Sequence, residues 1–333
     1  MIVLESYPLA VVFCVITMFC WGSWANTQKL AKKGWRFELF YWDYTIGVLL
    51  LTLILGLTLG SHGNVGRPFL EDFNHVSHFS IHSALLGGAI FNLANILLVA
   101  AIDIAGMSVA FPVGIGIALV LGVVLNYIAD PVGNAALLFT GVALVVVAII
   151  LDAVAYRKIP GSAAGVSTKG LVLSVACGVL MGFFYRFVAA SMYSDFTRPE
   201  EGKFGPYGAV FVFAIGIFLS NFIINTFVMK KPFVGAPVSY ADYFKGGVGT
   251  HLTGILGGLI WGVGMSFNII ASGRAGFAIS YGLGQGATMV AALWGVFIWK
   301  EFRTAPVGTS RLIAAMFACF LFGLALIILA RMS

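Results

Sequence analysis

Apolar residues run along this chain in blocks of about twenty, each closed by a short polar or glycine-rich stretch. Ten blocks are long enough to cross roughly 30 Å of hydrocarbon as helices. They are residues 8–28, 39–60, 81–102, 107–128, 133–155, 170–192, 207–228, 248–271, 276–299 and 312–330, spans 1 to 10 below. The intervening stretches are too short for a soluble domain. The pattern predicts an all-α polytopic membrane protein. Composition agrees: 60% of residues are hydrophobic and 10% charged, with mean hydropathy +1.00, where a soluble domain carries about 25% charged residues. Cys14, Cys20, Cys177 and Cys319 all fall inside apolar blocks, none in a CxxC, and read as small buried hydrophobes. Glu5 is the only charge before span 1, whereas a cleaved signal peptide would begin with basic residues, so span 1 is expected to stay in the mature protein.

The blocks repeat. Residues 85–116 read LLGGAIFNLANILLVAAIDIAGMSVAFPVGIG, and residues 255–286 read ILGGLIWGVGMSFNIIASGRAGFAISYGLGQG. At an offset of 170, Gly87/Gly257, Gly88/Gly258, Ala105/Ala275, Gly106/Gly276, Gly114/Gly284 and Gly116/Gly286 coincide, with Phe91 opposite Trp261 and Phe111 opposite Tyr281. Residues 1–158 and 159–333 then form two halves of five spans each. Five is odd, so the halves insert with opposite orientation, giving a 5+5 inverted-topology repeat within one membrane domain, a construction typical of secondary transporters.

Charge sets the expected orientation. Thirteen basic residues follow the odd-numbered spans: Lys29, Lys32, Lys33, Arg36, Arg157, Lys158, Lys169, Lys230, Lys231, Lys245, Lys300, Arg303 and Arg311. Five lie on the other side: Arg67, Arg198, Lys203, Arg274 and Arg331. Basic loops stay in the cytoplasm, so both termini are expected on the extracytoplasmic face of the cell membrane.

Spans 5 and 10 are nearly free of polar residues and read as scaffold or lipid-facing helices. The other eight carry polar groups that hydrocarbon penalises, and are expected to surround a cavity. Asn92 and Asn95 share one face near the middle of span 3. Span 8 brings Trp261, too deep for an interfacial belt, and Asn268. Span 9 brings Tyr281 and Gln285; the glycines of its GLGQG stretch (282–286) read as allowing close helix packing. At the end of span 1, MFCWGSWANTQKL (18–30) sets Trp21, Trp24 and Gln28 on one face flanked by Asn26, as at a polar cavity mouth. Asn221 and Asn225 in span 7 rank behind these. Pro112 in span 4 is a candidate gating hinge, because it removes a helix hydrogen bond. These side chains suit a small, polar, uncharged solute: amides to exchange hydrogen bonds, indoles to stack on a ring.

Asp43, about one turn into span 2, is the candidate proton-coupling carboxylate; the plainer reading pairs it with Lys29, Lys32 or Lys33. His75, His78 and His82 have helical spacing beside Glu71 and Asp72, but the stretch reads as a wet amphipathic loop outside the membrane, and no metal site is expected. Nothing in the chain calls for a cofactor or nucleic acid. The expected partners are the solute, the bilayer and, through Asp43, protons.

The run GGAIFNLANILLVAAIDIAGMSVAFPVGIGIALVLGVVLNYIAD, with the later ALWGVFIWKEFR, resembles the ureide permeases and the glucose/ribose and rhamnose porters of the drug/metabolite transporter superfamily. The nucleotide-like motif in the long central loop of plant ureide permeases is missing; here that loop is only YRKIPGSAAGVST. The resemblance implies a non-enzymatic permease for a sugar, or for a ureide or nucleobase, working by alternating access. A broad exporter of drugs or metabolites, and an integral-membrane enzyme built on the His-rich stretch, remain the alternatives.

Overall fold

A computed structural model describes residues 1–63, 65–160 and 167–332. Ten of its helices are long and apolar enough to cross a membrane: Tyr7–Leu30, Phe37–Leu57, His78–Ala105, Phe111–Ala129, Ala135–Arg157, Thr168–Ala190, Pro206–Lys230, Val248–Ala275, Phe277–Ile298 and Thr309–Leu329. These are spans 1 to 10, close to the boundaries expected from hydropathy. Among the described residues, only two isolated bridges have strand pairing. Helices are what the solvent dictates, since a backbone in hydrocarbon must satisfy its N–H and C=O groups internally. Residues 161–166 of the short central loop lie outside the described residues.

Helix boundaries follow local chemistry. Pro206 opens span 7, where its missing N–H is not needed. The Asn134 side chain accepts from Leu137 N (3.2 Å) and caps span 5. Gly106 and Gly276 sit at φ +75° and +84°, turning the chain between spans 3 and 4 and between spans 8 and 9. They are matched residues of the sequence repeat, each in a backbone region that favours glycine.

The chain divides into two compact units, Met1–Asn92 with Phe184–Arg274, and Leu93–Phe183 with Ala275–Ser333. Each draws on both halves of the sequence. In the first unit, spans 2 and 8 cross at Gly47 and Gly258: a Cβ on Gly258 would collide with Tyr44 O and lie 2.9 Å from Gly47 Cα. Spans 3 and 7 cross in the same way at Gly88 and Gly216, with Phe213 O in the place of Tyr44 O. Small residues let membrane helices approach closely. These two crossings link repeat-equivalent residues, and the arrangement fits two inverted halves. In the second unit, the polar-free spans 5 and 10 pack on each other, each glycine of the Gly141–Gly323 pair facing the other's carbonyl; Leu321 and Phe322 point outward.

The described residues of the 62–82 stretch hold more regular structure than a wet loop. A short helix, Phe69–His75, is followed by the first turns of span 3, which carry His78 and His82. His75 Nδ1 lies 3.1 Å from Glu201 Oε2, and Ser77 Oγ and Ser80 Oγ both donate to Gly202 O. Asp72, 1% exposed, accepts from Gly205 N at 2.5 Å and lies 3.5 Å from Arg67. Burial lifts its carboxyl to about 6, against the pull of the Gly205 N–H and of Arg67. A carboxyl raised above its unfolded value of about 4 holds its proton more tightly in the folded state, so its contribution to stability increases as pH falls from 7 through 6 toward 4. Between pH 7 and pH 5 the thermal midpoint of the parent should therefore rise relative to that of Asp72→Asn. Parallel pH profiles would remove Asp72 as the cause.

Candidate functional site

The first unit gathers aromatic rings around Trp261. Phe91 lies 4.4 Å from it between centroids, Trp21 stacks at 5.9 Å, Phe213 at 6.2 Å, and Tyr44 tilts against it at 6.2 Å. Trp24 extends the group through Tyr44 (4.6 Å), and Tyr41 stacks on Tyr44 at 5.1 Å. The repeat alignment sets Phe91 opposite Trp261, and the fold puts the two rings in contact.

Local chemistry brings the Trp-rich end of span 1 to this cluster. Thr17 Oγ1 donates to Gly264 O (2.8 Å), and the missing side chain at Gly264 leaves room for the edge of the Trp21 indole. After Ser23 the helix tightens into a 3-10 segment, Trp24–Leu30. Asn26 Nδ2 closes that turn on Ser23 O (3.2 Å) and Thr27 Oγ1 donates to Trp24 O. Asn26, expected at a cavity mouth, therefore serves the backbone of its own turn.

Buried polar atoms mark the same neighbourhood. Trp21 Nε1 and Tyr44 Oη, both on rings touching Trp261, are buried with no hydrogen-bond partner among the described residues. Asn92 Nδ2 donates to Ser220 Oγ (2.9 Å), while its Oδ1 has no partner. Both amide atoms of Asn221 are in the same condition, and Asn225 Nδ2 donates to Glu38 O. Unpaired buried polar groups are rare in folded proteins because each forfeits its hydration. Two unpaired donors on rings packed against one indole are positioned to donate to carbonyl oxygens of a solute that reaches them. Asn268 is buried on span 8, a further residue of this unit.

Asp43 sits at the opposite edge of the unit from Asp72, where loops follow spans 1 and 7. The expected lysine partners are replaced by residues remote in sequence: Tyr243 Oη donates to Asp43 Oδ1 (2.6 Å), and His251 Nδ1 lies 2.8 Å from Oδ2. Gly254 makes room for the Asp43 side chain against span 8. Burial and the neighbouring carboxylate push the Tyr243 hydroxyl above its usual range. Tyr243 belongs to a short helix, Tyr240–Phe244, started by a capping box of Ser239 and Asp242; hydrogen bonds from Ser239 and Lys245 hold the Asp242 carboxyl down at about 2. Arg36 fixes the same loop, donating to Ala236 O and Val234 O while bridging to Glu38. His251 is the one histidine outside the 62–82 stretch, and only the fold places it on Asp43.

In the second unit the fourth span of each half departs from a regular α-helix. In span 4 a π-helical turn, Phe111–Ile115, holds Pro112. In span 9 the α-helical pattern breaks for two residues only, Gln285 and Gly286, which keep helical φ/ψ and stay hydrogen-bonded to Tyr281 O and Leu283 O before the α-helix resumes at Ala287. Gly282 of GLGQG packs closely, a Cβ there lying 3.3 Å from Val123. Gln285 lies in that break, buried, and its carbonyl accepts from Thr288 Oγ1 (2.9 Å). Tyr281 anchors the break, with its hydroxyl 3.2 Å from Ala118 O and 3.1 Å from Met181 O and its ring filling the space left by Gly122. Asn95 is buried in the same unit.

Trp21 and Tyr44 were the residues hardest to find from sequence. Trp21 lay on the right face but offered only its ring. Tyr44 sat in LFYWDYTIG, where the charge of Asp43 dominated the reading. Two tyrosines at i and i+3 in a span that also carries a carboxylate were the available signal.

The comparisons with known proteins agree with a carrier. The chain is 22% identical over 383 residues to "Ureide permease 1" of Arabidopsis thaliana, covering 98% of both. It is also 22% identical over 392 residues to "Ureide permease 2" of the same plant, again covering 98% of each. A solved crystal structure matches with TM-score 0.59 at 16% identity, covering 98% of this chain and 99% of that one, which shows a shared fold. The profile of the Ureide permease family matches residues 40–164 and 158–330, nearly the whole of the ten-span region, and the chain is a membrane transport protein of the Ureide permease family.

Proposed function

We propose that the protein is a secondary carrier for a ureide or a related cyclic amide, moved by alternating access between two inverted five-span halves, within the drug/metabolite transporter superfamily. The single observation that supports the substrate class most is the pair of unpartnered donors, Trp21 Nε1 and Tyr44 Oη, beside the Trp261 ring. A ureide offers a flat face and carbonyl acceptors, which suits an aromatic wall edged by donors. A sugar's hydroxyls can also accept from these donors, but its ring is puckered where a ureide ring is flat, and the flat ring suits the stacked aromatic wall better. Counterflow of labelled allantoin, a cyclic ureide, into proteoliposomes tests the reading. Competition by excess allantoin or uracil but not by glucose, ribose or rhamnose is expected; competition by the sugars alone would overturn it.

Asp43 and His251 are the proposed proton-coupling pair. A carboxylate and an imidazole 2.8 Å apart can pass between a charged and a neutral pairing as one proton moves between them. Asp43→Asn and His251→Gln are expected to retain solute exchange and lose accumulation driven by a pH gradient. Undiminished accumulation in both would leave the pair as a structural latch between span 2 and the start of span 8.

The basic bias of the odd-numbered loops supports extracytoplasmic termini. A cysteine placed at Ile2, whose side chain is exposed, should react with an impermeant maleimide in intact cells. Labelling only after permeabilisation would invert the topology.

A further inference from the structure

Residues 25–35 curl into an open cavity of about 410 Å³ lined by Gln28, Lys29, Lys32, Lys33 and Trp35. Three ammonium groups within five residues repel one another and raise a positive potential that needs an anion. Of the two acids that follow in span 2, Glu38 takes two hydrogen bonds from Arg36, and Asp43 is held by Tyr243 and His251. Among the described residues, Lys32 and Lys33 make no ion pair. The cavity opens at the end of a membrane span, beside Leu30, which is 66% exposed. Its wall differs from an ordinary basic loop. Trp35 is pinned from behind, edge-on to His251 (5.6 Å) and against the Leu39, Trp42 and Met229 core, yet its Nε1 is buried without a hydrogen-bond partner. An apolar residue at the hydrocarbon boundary, a fixed indole and three lysines around one opening match the two ends of a phospholipid.

We propose that the 25–35 loop is a binding site for the phosphate headgroup of an anionic membrane lipid, with Lys29, Lys32 and Lys33 on the phosphate, Leu30 toward the acyl chains and Trp35 as the rigid wall. That wall is shared with the Asp43–His251 latch, so the lipid site and the latch are contiguous. The proposal stands independently of which solute is carried.

The test uses the purified full chain in detergent, titrated with dioctanoyl phosphatidylglycerol, dioctanoyl phosphatidylcholine or inorganic phosphate, with the thermal midpoint as readout. The phosphatidylglycerol lipid should raise the midpoint saturably, with an affinity that weakens as salt rises. Each lysine near a lipid surface is worth about fivefold in affinity, so Lys29→Ala/Lys32→Ala/Lys33→Ala should weaken it roughly a hundredfold. Should the triple variant fail to fold, the unmodified protein decides: equal responses to the two lipids would overturn the site. A response to inorganic phosphate matching that to phosphatidylglycerol would overturn the lipid as ligand. An unchanged affinity in a folded triple variant would overturn the role of the lysines.

Discussion

Replacing Trp261 by leucine is expected to raise the half-saturation constant for a cyclic ureide by roughly five- to 150-fold while the protein still inserts and folds. Trp261 touches Phe91, Trp21, Phe213 and Tyr44 at once, and under the proposed function a flat solute takes the place of one of these rings against it. Stacking a base-like ring on an aromatic side chain is worth about 1–3 kcal/mol, which gives that range. Leucine keeps the site apolar and limits the cavity that alanine would open, whose cost is about 3–5 kcal/mol for a buried tryptophan. Tyr44→Phe and Trp21→Phe each remove one donor and keep the packing; each should cost about 0.5–1.5 kcal/mol, or three- to tenfold in half-saturation. Stabilisation of the detergent-solubilised protein by allantoin should weaken in the same order, Trp261→Leu most. Parental transport in all three variants, or stabilisation by the solute that none of them changes, would move the binding site away from this cluster.

The second large effect concerns folding. Gly258→Ala adds one methyl group where spans 2 and 8 touch, and that methyl would meet Tyr44 O and lie 2.9 Å from Gly47 Cα, both backbone atoms. Backbone cannot swing aside as a side chain can, so the helices must separate along the crossing. Overpacking costs about 1–3 kcal/mol, and Gly258→Val should cost more. Gly88→Ala, at the equivalent crossing of spans 3 and 7, should behave alike. Gly249→Ala in the same helix as Gly258 is the control: no atom lies within 4 Å of a Cβ there, and alanine is the better helix former by about 0.5–1 kcal/mol. The two alanine variants should therefore shift the thermal midpoint in opposite directions. A midpoint for Gly258→Ala at or above that of the parent would show that the crossing is looser than its geometry.

The sequence by itself determined the number and rough limits of the spans, because crossing hydrocarbon demands length and apolarity, and both are local properties. It also marked the repeat and the glycines that turn out to be single-residue turns and helix crossings, since a backbone conformation or a close approach restricts residue type directly. Trp261 was legible as an odd residue at its depth, and Asp43 as an odd charge. Tertiary structure decided which groups meet. It put His251 and Tyr243 on Asp43, 208 and 200 positions away, where sequence proximity suggests lysines one loop away. It set Trp21 and Tyr44 beside Trp261 and turned Asn26 back onto its own turn. It tightened span 9 at Gln285 and Gly286 and packed Gly282 against Val123, because only the neighbouring spans decide which face of a glycine-rich stretch is approached closely. A pattern along the chain records what each segment needs from its solvent; which partner answers that need is fixed by contacts between segments far apart in sequence.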